Sequence, residues 1–222
     1  VGYDATLGDL VFASKTTTES EFAGWFRRLF LQRYGKHVDA IRQYLAEHNV
    51  CLVCEVILPT EDPHIIEYAQ DRIVLLDIVH RQAKFAAVDQ VECERFAAMF
   101  GMETKRLAAT FQTWEEFAAW YEQVQGLDYL YDGVPIEGFV IEDAQHWQVK
   151  AKLDYYSFWK RMRGVLDGLK AGRSPKRAAA YPHPEYAARV ITYMQGIPID
   201  ALAQMSIIDV RRRWQREQEK TV

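Results

Sequence analysis

Two glutamates and two lysines are set where charged residues are least expected. Glu55 interrupts the apolar stretch Val53-Cys54-Glu55-Val56-Ile57, and Glu137 immediately precedes Gly138-Phe139-Val140-Ile141. Taking a carboxylate out of water without a partner costs several kcal/mol, so each is expected to face a cavity, a metal or a cation. Farther on, Lys150 and Lys152 stand two positions apart in Val149-Lys150-Ala151-Lys152. On a strand that spacing puts both amines on one face of the sheet. Two carboxylates and two amines on neighbouring strands can hold a metal-bound polyphosphate, the amines on phosphate oxygens and the carboxylates on Mg²⁺ or a ribose. Taken singly, each residue also fits a sheet-edge charge or a satisfied ion pair.

The elements that must position these residues can be read from periodicity and turn signals. Residues 1–15 read as strand, turn and strand, an opening that calls for an upstream partner because a hairpin alone cannot bury its apolar face. Ser20 or Thr18 caps a helix whose apolar positions Phe22, Trp25, Phe26, Leu29 and Phe30 recur at helical spacing. A second helix covers residues 37–48. Residues 50–58 form a continuous apolar run ended by Pro59, and residues 72–79 form another, so both read as buried strands, with 84–88 adding a short one. Helices over 91–100 and 114–125 follow. Strands return at 136–142 and 147–152 around the turn Asp143-Ala144-Gln145-His146. From Tyr155 onward the pattern is helical: one helix to about residue 171, a basic linker over 172–177, and two more helices after Pro184 and Pro198.

Composition bounds the class. A chain of 222 residues with 49% hydrophobic content can bury one sizeable core and a small appended subdomain. No apolar run approaches the roughly 18 residues that span a bilayer, and the expected location is the cytoplasm, with no membrane partner. Three cysteines, Cys51, Cys54 and Cys93, do not make a disulfide framework. The net charge is −4, yet residues 150–177 carry nine Lys or Arg against Asp154 and Asp167. A local basic surface on an acidic chain suits a phosphate-bearing ligand bound in one place, and a solvated helix face is the other reading.

Glu137-Gly138-Phe139-Val140-Ile141, followed after a hairpin by Val149-Lys150-Ala151-Lys152 and then Tyr155-Tyr156, resembles motifs IV and V of the covalent nucleotidyltransferases, the superfamily of polynucleotide ligases and mRNA capping enzymes. Cys54-Glu55-Val56-Ile57 is similar to motif III, and residues 73–78 stand where motif IIIa belongs. The strand ending Phe12-Ala13-Ser14-Lys15-Thr16 resembles motif Ia of the phage RNA ligase 1 branch. These landmarks occur in family order across residues 1–160, and the helical tail is similar to the C-terminal subdomain of that branch.

The resemblance implies an α+β nucleotidyltransferase domain of antiparallel sheets with flanking helices over residues 1–154, and a small helical subdomain over 155–222. It implies an ATP-dependent RNA ligase, using ATP and Mg²⁺ (or Mn²⁺), that joins RNA 5′-phosphate and 3′-hydroxyl ends in RNA or tRNA repair. Lys150 and Lys152 then neutralise the triphosphate, with Lys15 assisting from another wall. Glu137 positions the metal, Glu55 holds the ribose or the metal's water shell, and Val140 packs on adenine.

One departure stands against the match. The family's nucleophilic lysine lies in a Lys-x-Asp-Gly motif, and the only Asp-Gly pairs here, Asp132-Gly133 and Asp167-Gly168, have Leu130 and Val165 at the lysine position. The motif is therefore expected upstream of Val1, with the N-terminal part of the domain missing. A noncatalytic nucleotide- or RNA-binding module, or a sister DNA ligase or capping enzyme, is the alternative. Among other residues, the Cys51/Cys54 spacing has no second pair or histidine pair to complete a zinc site. His64 follows the motif III strand and can approach the substrate or pack within its loop. Trp147, Tyr155, Tyr156, Phe158 and Trp159 flank basic residues and either stack on RNA bases or belong to the core.

Overall fold

The computed structural model describes residues 1–145 and 147–220; His146, expected in the second hairpin's turn, lies outside the described residues. The chain groups into two compact units, residues 1–63 with 68–110, and residues 64–67 with 111–222.

In the first unit β1 (Gly2–Asp4) and β2 (Asp9–Val11) form the opening hairpin, and α1 (Glu21–Tyr34) follows. Ser20 starts that helix by accepting a hydrogen bond from the Ala23 amide at 3.2 Å. A single 3₁₀ turn leads into α2 (Val38–His48), which Asn49 ends in the left-handed conformation at φ 49°. Then come β3 (Val50–Ile57), β4 (Arg72–His80), α3 (Gln90–Phe100) and the two-residue β5 (Glu103–Thr104). The strands make one sheet in the order β2-β1-β3-β4-β5. β1 pairs with β3 as well as β2, so the opening hairpin is built into the sheet. One face is covered: Val50, Leu52, Val56, Ile73, Leu75 and Ile78 pack with helix residues such as Phe30, Ile41, Leu45 and Phe96 into a single core.

Three expectations change here. The sheet is not wholly antiparallel, because β5 runs parallel to β4 through Val74↔Glu103 and Leu75↔Thr104. Residues 84–88 make only a bridge, Ala87 opposite Val79. And β3 is not buried on both faces: Val53 and Glu55 are exposed, so the apolar run hides an alternation in which every second residue faces away from the helices.

The second unit holds α4 (Trp114–Gln123), β6 (Gly138–Glu142), β7 (Gln148–Lys152), α5 (Asp154–Lys170), α6 (Pro184–Gly196), α7 (Ile199–Ala203) and α8 (Ile207–Glu219). The C-terminal part has one helix more than expected. Ser206 and Asp209 form a capping box that starts α8 afresh after α7. The core of α5, α6 and α8 gathers Phe158, Trp159, Met162, Val190, Met194 and Val210, and Ile65 from the 64–67 segment joins it. Phe158 and Trp159 thus belong to the core, while Trp147 is exposed.

The compact units also differ from a division after residue 154. The β6–β7 hairpin cannot be parted from α5: Leu153, between them, is buried, and its amide donates to the Glu137 carbonyl at 3.1 Å. Among the described residues no helix is long and apolar enough to cross a membrane.

Candidate active site

The hairpin puts four of the six candidate residues in one place. Its register pairs Gly138 with Lys152, Val140 with Lys150 and Glu142 with Gln148, while Phe139 and Ile141 pair with Ala151 and Val149. Alternation therefore gives one face to Val140, Lys150 and Lys152 and the other to Phe139 and Ala151. The second face is the packed one: Ala151 is buried, and Phe139 meets Trp120 edge-on at 4.9 Å between ring centroids. The first face is open, with Val140 59% exposed.

Gly138 fixes how close the two strands come. Its φ is 153°, and a Cβ there would stand 2.1 Å from the Ala151 carbonyl oxygen and 2.9 Å from the Lys152 Cα. Only glycine fits that approach, and the approach brings the Glu137 carboxylate to the Lys152 amine. Lys152 Nζ donates to Glu137 Oε1, and the Tyr156 hydroxyl, from the first turn of α5, also hydrogen-bonds that carboxylate. The Tyr156 ring lies beneath two ammonium groups, Lys152 at 5.1 Å and Lys160 at 5.5 Å from its centroid.

Electrostatics at Glu137 follow from these contacts. Burial pushes its carboxyl up, but the Lys152 hydrogen bond and charge, the Tyr156 hydroxyl and the positive field of His64 together outweigh burial and hold it below 4.5. The folded carboxyl thus titrates below its unfolded value. Its contribution to stability is complete above about 4.5 and is lost as pH falls through the lower folded value. A side-chain NMR titration of Glu137 should show its inflection at lower pH in the wild type than in Lys152→Met, where burial acts with less opposition. Equal inflections in the two proteins would contradict this assignment.

Lys150 differs from Lys152. It is exposed and makes no ion pair with the described residues, so its charge is available to an incoming anion.

Glu55 and Lys15 belong to the first unit. Glu55 stands on β3 opposite Val74, on the face away from the helices, exposed and without an ion pair among the described residues. The expectation of a buried carboxylate is corrected accordingly: Glu55 pays no burial cost, and what makes it available to a ligand is the open sheet face it shares with Val53. Lys15 is exposed at the tip of a turn in which the Ser14 hydroxyl accepts from the Thr17 amide at 3.3 Å and donates to the Thr17 carbonyl at 3.0 Å. Cys51 and Cys54 fall on opposite faces of β3, and burial pushes the Cys54 thiol up to about 11.

Among the described residues no three His, Cys, Asp or Glu side chains converge as a cation cage. One ionised, half-buried carboxylate beside two lysines fits a divalent ion only where phosphate oxygens and water complete its shell.

Sequence reasoning took Tyr156 into the motif but missed its contacts, and it counted Lys160 only within the basic stretch 150–177 without tying it to the site. The readable signal was spacing: position 156 falls in the first turn of a helix that begins just beyond Lys152, and Lys160 lies one turn later on the same side.

With this geometry in hand, the comparisons are specific. No curated protein matches the chain. The sequence profile of the RNA ligase family matches residues 3–156, a stretch running from β1 to Tyr156. That match spans more than half of the chain and ends just past the hairpin that carries the candidate site, and the protein therefore belongs to the RNA ligase family.

Proposed function

We propose that the chain is the nucleotide- and RNA-handling portion of an ATP-dependent RNA ligase with a nucleotidyltransferase fold, which seals RNA 5′-phosphate and 3′-hydroxyl ends through lysyl-AMP and RNA-adenylate intermediates, with broken RNA such as tRNA as substrate. The observation that carries this reading is the division of labour between two lysines on one open face. Lys152 is held by Glu137 and Tyr156, whereas Lys150 is left to meet an anion beside the exposed apolar surface of Val140.

Phosphoryl transfer asks little covalent chemistry of a protein and much positioning of charge. Lys152, fixed in direction, neutralises the phosphoryl oxygens on which charge develops, and Lys150 binds the flanking phosphates. Glu137 orients Lys152 and offers its remaining oxygen to a metal or its water. Mg²⁺ (or Mn²⁺), when bound with the nucleotide, supplies further neutralisation of the phosphate oxygens. Val140 offers adenine an apolar floor. The first unit, taken by itself, offers the exposed carboxylate of Glu55 to hydroxyl donors and the exposed ammonium of Lys15 to an anion. No Lys-x-Asp-Gly occurs in these 222 residues, and the lysine that takes up AMP is assigned to none of them.

That same lack is the one observation favouring a second reading, a noncatalytic nucleotide- or RNA-binding module. A sealing assay on the full-length gene product separates the two. Joining of a 5′-phosphorylated RNA to a 3′-hydroxyl end that requires ATP and is lost with a 5′-hydroxyl end is the expected result. RNA binding with no joined product under any nucleotide would establish the module instead.

A further inference from the structure

The local positive charge of residues 150–177 does not end at the hairpin. On α5 the positions 156, 160 and 163 follow one another at helical spacing along one side, so Tyr156, Lys160 and Arg163 form a stripe. From Tyr156 to Arg163 the stripe runs roughly 10 Å along the helix axis. Lys160 and Arg163 are exposed, and neither forms an ion pair with the described residues. The stripe begins at the candidate site, because one ring, that of Tyr156, carries Lys152 at 5.1 Å and Lys160 at 5.5 Å. Two ammonium groups gathered on one ring repel each other. Glu137 compensates only Lys152, so a charge of the opposite sign is called for beside Lys160. Asp167, one turn beyond Arg163, closes the run, which keeps the cationic track short and anchored to the site.

We propose that Lys160 and Arg163 bind the backbone phosphates of the RNA strand next to the end being sealed, leading that strand from α5 to Lys150 and Lys152. The assignment rests on the ligase reading and gives it a path for the RNA. It differs from diffuse attraction to a basic helix, because Arg161 on the same helix is also exposed and carries the same charge but lies off the stripe by helical spacing.

The test is a salt titration of binding to a 5′-phosphorylated single-stranded oligoribonucleotide, without ATP, on the full-length gene product and its variants. Each phosphate contact to a single strand contributes about 0.7 to the log–log salt slope. Lys160→Ala and Arg163→Ala should each weaken binding several-fold at low salt and flatten the slope by about 0.7, while Lys160→Arg keeps both affinity and slope. Arg161→Ala, with the same loss of charge, should leave the slope as in the wild type. Slopes for Lys160→Ala and Arg163→Ala equal to that of Arg161→Ala would overturn the proposal. Uptake of AMP by the wild-type protein, measured alongside, keeps the two readings apart. AMP uptake with unaltered slopes removes the RNA track alone, and flattened slopes without AMP uptake remove the ATP chemistry and leave the track standing.

Discussion

Lys152→Ala should lower RNA sealing by about 10² to 10³-fold, the range seen when one positioned donor is removed from a developing phosphoryl or oxyanion charge. The argument rests on how Lys152 is held. A lysine on a free stem visits many rotamers, but this one is fixed by the Glu137 carboxylate and lies over the Tyr156 ring, so its charge is aimed before substrate arrives. Little of the loss should come from folding, because Lys152 is exposed and the hairpin's packed face uses Phe139 and Ala151 instead. The variant does leave Glu137 half-buried without its cation. Lys152→Met combined with Glu137→Gln removes that burden, and the pair should regain stability without regaining activity. A sealing rate in Lys152→Ala within a few-fold of the wild type would remove Lys152 from the phosphate role.

Arg211→Ala should destabilise the second unit by about 3 kcal/mol, the lower end for removing one partner of a buried pair, since Glu67 is partly open to water. Arg211 on α8 is 3% exposed, and among the described residues it is the one buried charge. Its guanidinium donates to the Ile65 carbonyl at 2.5 Å and to Glu67 Oε2 at 2.6 Å, and it lies 5.5 Å from the Tyr155 ring centroid. The neighbouring Arg212 reaches the other Glu67 oxygen. These contacts clip residues 64–67 onto the helices. The effect should reach the site as well, because His64 in that segment adds to the positive field at Glu137. Arg211→Met, which keeps much of the packing volume, should cost less than alanine. Thermal unfolding checks this, with an expected fall of roughly 2–4 °C for each kcal/mol at this chain length. A midpoint shift below one degree for Arg211→Ala would show that the clip contributes little.

How much of this could be read from the sequence depended on range. The β6–β7 hairpin was legible because alternation and a polar turn specify it locally, but a turn over 143–146 sets Glu142 against Trp147, one residue off the observed register of Glu142 with Gln148 and Val140 with Lys150. α1 and α3 were legible from their apolar spacing and end signals. Glu55 was misjudged for a physical reason: the residues around it are apolar on both sides of the strand, so the run looked doubly buried when the helices cover only one face. β5 has two residues and exists only because β4 accepts it, which no local pattern announces. The break that divides the stretch after Pro198 into α7 and α8 was missed although Ser206 and Asp209 carried the capping signal, because α7 is only five residues long. The clip of Arg211 on Glu67 joins residues 144 positions apart and had no signal at all. At the site, the residue types and their face were readable, whereas the coupling of Glu137, Lys152, Tyr156 and Lys160 required the turn from β7 into α5.

The central claim, ATP-dependent chemistry at this site, is tested most directly by the intact mass of the full-length gene product before and after incubation with ATP and Mg²⁺. The account predicts a gain of one AMP per chain that survives denaturation and is lost on adding 5′-phosphorylated RNA. An unchanged mass, in a preparation that still binds RNA, would contradict it and leave a binding module in place of a ligase.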